Sequence, residues 1–124
     1  MRGGALTYVW LLLTVALTVY GQLVFKWRID ASGELPAGTS ARFVYALRLA
    51  LDPWVISVII AVAAGSVTYA VALGRTELSI AYPFMSLSFV LVLLLSAPFF
   101  SESITVPKVV GAALIVIGVF VGSR

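Results

Sequence analysis

Few residues in this sequence could do chemistry, and the types that most often do are absent. The chain of 124 residues contains neither cysteine nor histidine, which excludes thiolate nucleophiles, disulfides, imidazole bases and the usual nitrogen and sulfur ligands of metals. Serine and tyrosine without a histidine or a deep carboxylate form no recognisable acid–base or nucleophile arrangement. We therefore expect no enzymatic activity, no cofactor and no metal site.

A row of polar side chains follows one face of the first apolar run. Thr14, Thr18 and Gln22 recur every four residues and lead to Lys26, which places them along one side of a helix. Such a face can receive something polar. Because threonine also commonly hydrogen-bonds its own helix, we favour structural packing for Thr14 and Thr18 and a functional role for Gln22 and Lys26.

A second polar face, in the third apolar run, contains Ser79, Tyr82 and Ser86. Pro83 lacks an N–H, so the carbonyl of Ser79 loses its helical partner and we expect the helix to bend there. In lipid, a neighbour, a water or a ligand must satisfy that carbonyl. The segment is therefore either the lining of a pathway or a merely tolerated kink, and both interpretations stay open.

These polar faces must be positioned by membrane-spanning helices. Apolar residues make up 62% of the chain and charged residues 10%, against about 45–50% and about 25% in soluble domains. A helical span needs about 20 largely apolar residues, and four such runs are present, at about 6–25, 54–73, 78–97 and 106–121. We predict an all-α membrane protein, a single domain of four transmembrane helices, with the first run retained rather than cleaved as a signal.

The charged residues lie at the ends of these runs. Since the first and third spans run in the same direction, Lys26 and Arg28 reach the same membrane face as Glu102 and Lys108. The basic excess there suits a phosphate, and Glu102 could orient a lysine or contact an amine or hydroxyl. The alternative is a set of ordinary interfacial anchors. Eight basic residues scattered at helix ends form no stripe for a duplex to follow, so no nucleic-acid partner is expected.

The only long segment between spans is the loop at 28–52. Its second part, 41–51, is mostly apolar but contains Arg42 and Arg48, which is typical of a helix lying at the membrane interface with arginines reaching for headgroups. An early start to the second transmembrane helix explains the pattern equally well.

Glycines in the fourth span indicate self-association. Gly118 and Gly122 form a small-x-x-x-small pair, and Gly111 lies one heptad earlier, a spacing that lets helices approach closely. Four helices are few to enclose a polar path, so we expect a dimer with these glycines at its interface.

At this point the sequence resembles the small four-span members of the drug/metabolite transporter superfamily, also called EamA-type, and most closely the ArnE-like subunits of undecaprenyl-phosphate aminoarabinose flippases. The resemblance covers nearly the whole chain. The residues that carry it are Gly21-Gln22-Leu23 with Lys26, Leu78-Ser79-Ile80-Ala81-Tyr82-Pro83, Ser86-Leu87-Ser88-Phe89-Val90, and Glu102 with Gly111 and Gly118.

The resemblance implies a multi-pass protein of the bacterial inner membrane that moves a polyprenyl-phosphate-linked sugar lipid between leaflets for envelope modification. It would work as a homodimer or with a second four-span subunit. Thr18, Gln22, Tyr82 and Ser86 would then line a polar groove, and Lys26 with Arg28 would hold the phosphate. The family would place the first loop outside, whereas the count of basic residues nominally places it in the cytoplasm; we follow the family.

Two other functions remain open. The related small multidrug resistance proteins export organic cations with an essential glutamate in span one, where this chain has Thr18. No acidic residue lies deep in any span here, which counts against that mechanism. The chain could also be a non-transporting membrane partner of an envelope glycosyltransferase, although the polar faces on spans one and three count against that.

Overall fold

The computed structural model describes residues 4–123, and every regular element within that range is an α-helix. In chain order the helices are α1 (Gly4–Ala31), α2 (Thr39–Leu51), α3 (Pro53–Leu73), α4 (Leu78–Met85), α5 (Leu87–Phe100) and α6 (Val106–Gly122). The prediction of an all-α fold is confirmed. Arg2 and Arg124, which the count of basic residues places on the membrane face opposite the first loop, lie outside the described residues.

The helices have the lengths that a bilayer requires. Within residues 4–123, three apolar segments are long enough to cross it: α1, α3 and the run Leu78–Phe100 formed by α4 and α5 together. The fourth apolar helix, α6, has 17 residues and rises only about 25 Å, against a hydrocarbon core of about 30 Å. A slightly short span is accommodated by local thinning of the bilayer. The protein is therefore an integral membrane protein that crosses the bilayer several times.

Small residues bring α1 and α3 together into the most extensive helix pair of the molecule. A Cβ atom placed on Gly65 would lie 3.7 Å from the Cβ of Leu17, and one placed on Gly21 would lie 3.6 Å from a methyl carbon of Val58. Without a hydrophobic driving force between helices in lipid, such close packing is what stabilises a helix pair. The pair forms the frame against which the other helices pack.

The core is small and lies between α1, α3 and α4. It consists of side chains that are almost fully covered: Leu11, Val15, Val19, Ala72, Ala81 and Phe84. Many large apolar side chains, among them Ile60 and Leu114, are instead exposed on the outside of the bundle. An outer surface of this kind suits contact with lipid rather than water.

The third span is interrupted. α4 ends at Met85 and α5 begins at Leu87, with Ser86 between them. The break follows Pro83, which cannot donate a backbone hydrogen bond to the carbonyl of Ser79. Backbone angles at Ser86 stay close to helical (φ −66°, ψ −12°), so the interruption is a break in the hydrogen-bond pattern of one apolar run.

The segment at 39–51 forms a helix of its own. Backbone angles at Asp52 are extended (φ −65°, ψ 128°), and Pro53 then begins α3. Because the chain leaves the helical conformation at Asp52, α2 is not an early turn of the second span. No residue of α2 is buried.

Candidate functional site

A groove of about 650 Å³ lies between α1, α3 and α4. Several side chains along it remain exposed, including Gln22, Ile59 and Tyr82. The groove is therefore open along its side rather than enclosed. It runs from Thr14 in the middle of α1 to Phe25 and Val55, near the end of α1 and the start of α3, and its open side faces the space that lipid occupies around the bundle.

The lining of the groove combines a polar strip with apolar walls. The residues that carry a polar side chain there are Thr14, Thr18, Gln22, Ser66, Tyr69 and Tyr82. None of the described residues lining it is charged. A lining of hydroxyls and one amide can exchange hydrogen bonds with a polyol without holding an ion.

Two threonines of the polar row are used by the fold. The hydroxyl oxygen of Thr14 lies 2.6 Å from that of Thr68, linking α1 to α3, and 2.9 Å from the carbonyl oxygen of Trp10. Thr18 donates its hydroxyl proton to the carbonyl of Thr14 at 2.8 Å. Thr14 is thus a packing residue, whereas Thr18 keeps lone pairs on its oxygen and can still accept a hydrogen bond from a ligand.

Three other groups in the groove have no partner in the described part of the chain. The amide of Gln22 and the phenol of Tyr82 are exposed in it, and neither forms a hydrogen bond there. The hydroxyl of Tyr69 is buried and also lacks a hydrogen-bond partner within residues 4–123. Buried polar groups are normally paired, so the Tyr69 hydroxyl is an exception, whereas Gln22 and Tyr82 can form hydrogen bonds with a ligand from the open side of the groove.

The break in the third span is accompanied by hydrogen bonds that differ from the regular helical pattern. The N–H of Ser86 bonds the carbonyl of Pro83 at 3.0 Å, three residues back, instead of that of Tyr82. The Ser86 hydroxyl donates to the same Pro83 carbonyl, and Ser86 does not line the groove. Sequence reasoning placed Ser86 in the lining, but the structure uses it to end α4.

The charged residues lie beyond the groove, at the end of α1. Lys26 pairs with Asp30 through a 3.0 Å contact between Nζ and Oδ1, and both side chains are about half exposed. Glu102 is near enough to add to the electrostatic attraction on the Lys26 ammonium. Lys108 donates from Nζ to the carbonyl of Ser103 at 2.9 Å. Exposed pairs of this kind are worth little, so a phosphate could replace Asp30 as the partner of Lys26.

Arg28 forms more contacts within the chain than Lys26 does, and it is less exposed. Its guanidinium donates to Asp52 at 2.8 Å and stacks 4.8 Å from the ring centroid of Trp27. Asp52 also begins α3, because its other carboxylate oxygen accepts from the Trp54 N–H at 2.8 Å. Partial burial acts to raise the pKa of Asp52, but the bonds from Trp54 and Arg28 outweigh it and hold that pKa below its ordinary value of 3.8.

Comparisons with known proteins decide the family. A protein of Aeromonas salmonicida (strain A449) named "Probable 4-amino-4-deoxy-L-arabinose-phosphoundecaprenol flippase subunit ArnE" is 32% identical over 108 residues, which cover 87% of this chain and 89% of that protein. The chain belongs to the ArnE/ArnF family. An ArnE relative from Pseudomonas savastanoi pv. phaseolicola is 32% identical over 93% of this chain and 95% of its own length. The ArnF relative from Sodalis glossinidius is 36% identical over 87% and 83%.

Membership of the ArnE/ArnF family confirms the resemblance drawn from the motifs. The relatives carry the names of two different subunits, and this chain is similar to both. No protein-family model matches the chain, and no solved structure gives a significant match. The geometry of the groove is therefore argued from this chain alone.

The three glycines on α6 of this ArnE/ArnF family member face away from its own bundle. Positions 111, 118 and 122 have no described heavy atom within 4 Å of an added Cβ. Gly118 and Gly122 are exposed, and Gly111 is partly covered. Their proposed place in a dimer interface thus requires no rearrangement of the bundle.

Sequence reasoning missed two polar members of the groove, Ser66 and Tyr69. The signal was present, because the two residues are three positions apart and share a helix face with Val62. Small residues are frequent in α3, and this pattern predicts close helix packing rather than a binding surface.

Proposed function

We propose that this chain is a subunit of a flippase that moves a polyprenyl-phosphate-linked sugar lipid between the leaflets of the bacterial inner membrane. The observation that carries the proposal is the groove open at its side, with an uncharged polar strip formed by Thr18, Gln22, Tyr69 and Tyr82. The names of the ArnE and ArnF relatives support the same class of substrate. The chain would act as a transporter rather than an enzyme.

The groove fits the two chemical halves of such a lipid. A sugar phosphate must cross the apolar region while its polyprenyl tail stays in lipid, which calls for polar partners on one wall and an open side. Hydroxyls and an amide can hold a sugar by many weak hydrogen bonds. Since the groove lining within the described residues carries no charge, the sugar is not trapped by a strong ion pair during passage.

Lys26, near the end of α1, would bind the phosphate. This residue is exposed, and its pair with Asp30 is a weak one between neighbouring turns of one helix. Arg28 contributes less to phosphate binding than the sequence indicates, because Asp52 already occupies its guanidinium. Glu102 lies near Lys26 and would orient its side chain.

A second four-span subunit, or a second copy of this chain, would complete the pathway. One chain supplies one polar wall, and the groove stays open on its other side. The relatives are named as subunits rather than as complete flippases, which supports an assembly with a partner. Gly111, Gly118 and Gly122 on α6 are the proposed contact.

Export of organic cations is not favoured by the site. All five acidic residues of the chain, at positions 30, 34, 52, 77 and 102, lie at helix ends or in connecting segments. A proton-coupled exchanger needs a titratable group within the membrane, whose charge is relieved in turn by proton and substrate.

Native mass spectrometry of the purified protein with its co-extracted lipids tests the proposal. We expect a bound polyprenyl-phosphate species whose mass identifies the sugar, with much weaker retention in Lys26→Ala and in Gln22→Leu. Ser88→Ala is the matched control, since Ser88 is a polar residue of the third span that bonds Met85 and does not line the groove. A lipid-free protein that instead binds organic cations would refute the flippase assignment.

A further inference from the structure

Helix α2 presents an apolar face that no part of the described chain covers. Phe43, Val44, Leu47 and Leu51 are all exposed, Phe43 to 65% and Leu51 to 73% of the full residue area. At about 100° per residue these four side chains lie on one side of the helix. In water this surface would be unfavourable, and it needs an apolar phase to contact.

The other two sides of α2 have different surroundings. Ala41, Tyr45 and Leu49 are partly covered, and the Tyr45 hydroxyl donates to the carbonyl of Gly33 at 3.3 Å. Ala46 is exposed on the third side, about 100° or more around the helix from Val44, Leu47 and Leu51. The helix therefore has one side toward the protein, one apolar side facing out, and one side on which the small residue Ala46 lies.

The location of α2 identifies the apolar phase. The helix follows the end of α1 and leads through Asp52 directly into α3, and both neighbours are membrane-spanning segments. With 13 residues it rises about 20 Å, too short to cross a hydrocarbon core of about 30 Å. It must lie near the bilayer surface, where the acyl region is the adjacent apolar phase.

The arginines of α2 supply the charge that a lipid surface would recognise. Arg48 borders the apolar face and forms no ion pair or hydrogen bond within residues 4–123. Arg42 donates from Nε to the carbonyl of Pro36 at 3.1 Å and has no acidic partner in the same range. Positive charge beside a buried apolar face favours anionic headgroups.

We propose that α2 lies in the plane of the bilayer interface, with Phe43, Val44, Leu47 and Leu51 in the acyl boundary and Arg48 on the phosphate of an anionic phospholipid. The helix thereby anchors the first loop to the membrane and makes its position depend on lipid charge. This inference is independent of the substrate, so it stands whether or not the chain is a flippase. A partner subunit is the competing occupant of the apolar face.

Site-directed spin labelling tests the proposal directly, because the chain has no native cysteine. Single variants Leu47→Cys and Val44→Cys report the apolar face, and Ala46→Cys reports the side of the small residue. In phosphatidylcholine vesicles containing phosphatidylglycerol, we expect the ratio of oxygen to nickel-complex accessibility to be several-fold higher on the apolar face. Equal ratios on the two faces would overturn the interfacial placement.

The lipid dependence has its own control. We expect the Leu47 label to lie deeper in vesicles with phosphatidylglycerol than in phosphatidylcholine alone, and Arg48→Gln to remove that difference. Arg42→Gln should preserve it, because Arg42 is held by Pro36 on another side of the helix. A Leu47 label that is shielded from both oxygen and nickel would instead identify a protein surface on α2 and contradict the proposal.

Discussion

Tyr69 carries the polar group in the groove that the fold leaves least satisfied. Its hydroxyl is buried without a partner in the described chain, and leaving such a group unpaired costs about 1–3 kcal/mol. If the hydroxyl had no function, phenylalanine at this position would make the fold more stable. We infer that the hydroxyl serves the ligand, either by donating to a sugar oxygen or by accepting from a sugar hydroxyl.

Replacing Tyr69 by phenylalanine separates that role from stability. We expect transport of a polyprenyl-phosphate sugar into proteoliposomes to fall by about 3- to 10-fold, the equivalent of one neutral hydrogen bond of roughly 0.5–1.5 kcal/mol. The thermal midpoint should stay the same or rise, because no hydrogen bond of the fold is lost.

Tyr20→Phe is the matched control for Tyr69→Phe. The Tyr20 hydroxyl lies 2.8 Å from the Ser57 hydroxyl and does not line the groove. Its removal should lower the thermal midpoint through the loss of that bond while transport stays near the wild-type rate. Full transport by Tyr69→Phe would exclude its hydroxyl from substrate binding.

The ion pair between Arg28 and Asp52 stabilises the fold. Asp52→Asn keeps an oxygen that can cap α3 but removes the charge that faces Arg28, so we expect a lower thermal midpoint at neutral pH. Arg28→Gln should have a similar effect, and the double variant little more than either single one. Thermal unfolding in detergent, followed by circular dichroism, measures all three.

The pH dependence of the same pair has a definite sign. The pKa of Asp52 is lower in the folded protein than its ordinary value of 3.8, so its stabilising effect is present above that value and lost as the pH falls through the lowered pKa. The gap in midpoint between wild type and Asp52→Asn should therefore close in strongly acidic buffer. A gap that stays constant on acidification would argue that the charge of Asp52 is not responsible.

The site was partly predictable from residue spacing. Thr18 and Gln22 recur on one helix face, and Tyr82 lies on the polar side of the third span, so the sequence alone could select three of the groove residues. It could not foresee that Asp52 would engage Arg28, because 24 positions separate them. Nor could it show that Ser86 would bond Pro83 rather than face the groove.

At the level of elements, the broken third span is the feature that shapes the groove. Pro83 prevents a bond to Ser79, and the helix restarts only at Leu87, which leaves Tyr82 and Met85 on the groove wall. Pro83→Ala restores the missing N–H, so we expect a more continuous helix, a higher thermal midpoint and slower transport. Hydrogen exchange of the Tyr82–Leu87 amides, which should slow in the variant, measures the change.

The second proline within this span is a control for the first. Pro98 lies inside α5, near its end, and does not line the groove. Pro98→Ala should restore a backbone bond without affecting transport. If Pro83→Ala transports normally while its amides become protected, the break is a tolerated kink and not a part of the pathway.

The predictable part of the fold is the part that hydropathy determines. Apolar runs indicate where α3 and α6 begin and end to within one residue, because lipid requires each span to be continuous and apolar. The extension of α1 to Ala31 was not foreseen, since its last turn is polar, with Lys26 paired to Asp30, and hydropathy gives no signal there. The break at Ser86 depends on local backbone geometry, which hydropathy does not record.

At the scale of the whole molecule, the small core supports the proposal that this chain works with a second subunit. The covered apolar residues cluster between α1, α3 and α4, whereas α6 has Ala112 as its buried residue among those described. A helix attached this loosely contributes little to the interior of its own bundle. Its outward side, with Gly118 and Gly122 exposed, is free to pack against another chain.

Gly118→Leu tests whether that side of α6 is where the subunits meet. A Cβ on Gly118 meets no described atom of its own chain within 4 Å, so leucine should leave the monomer's thermal stability unchanged. Between two chains, the same side chain would prevent close approach of the helices, and crosslinked dimer should be lost. Ala113→Leu adds similar bulk to another exposed position, roughly 140° around the helix, and should crosslink like wild type. An undiminished dimer in Gly118→Leu would place the interface elsewhere, and the open groove would then have to be closed by a surface other than α6.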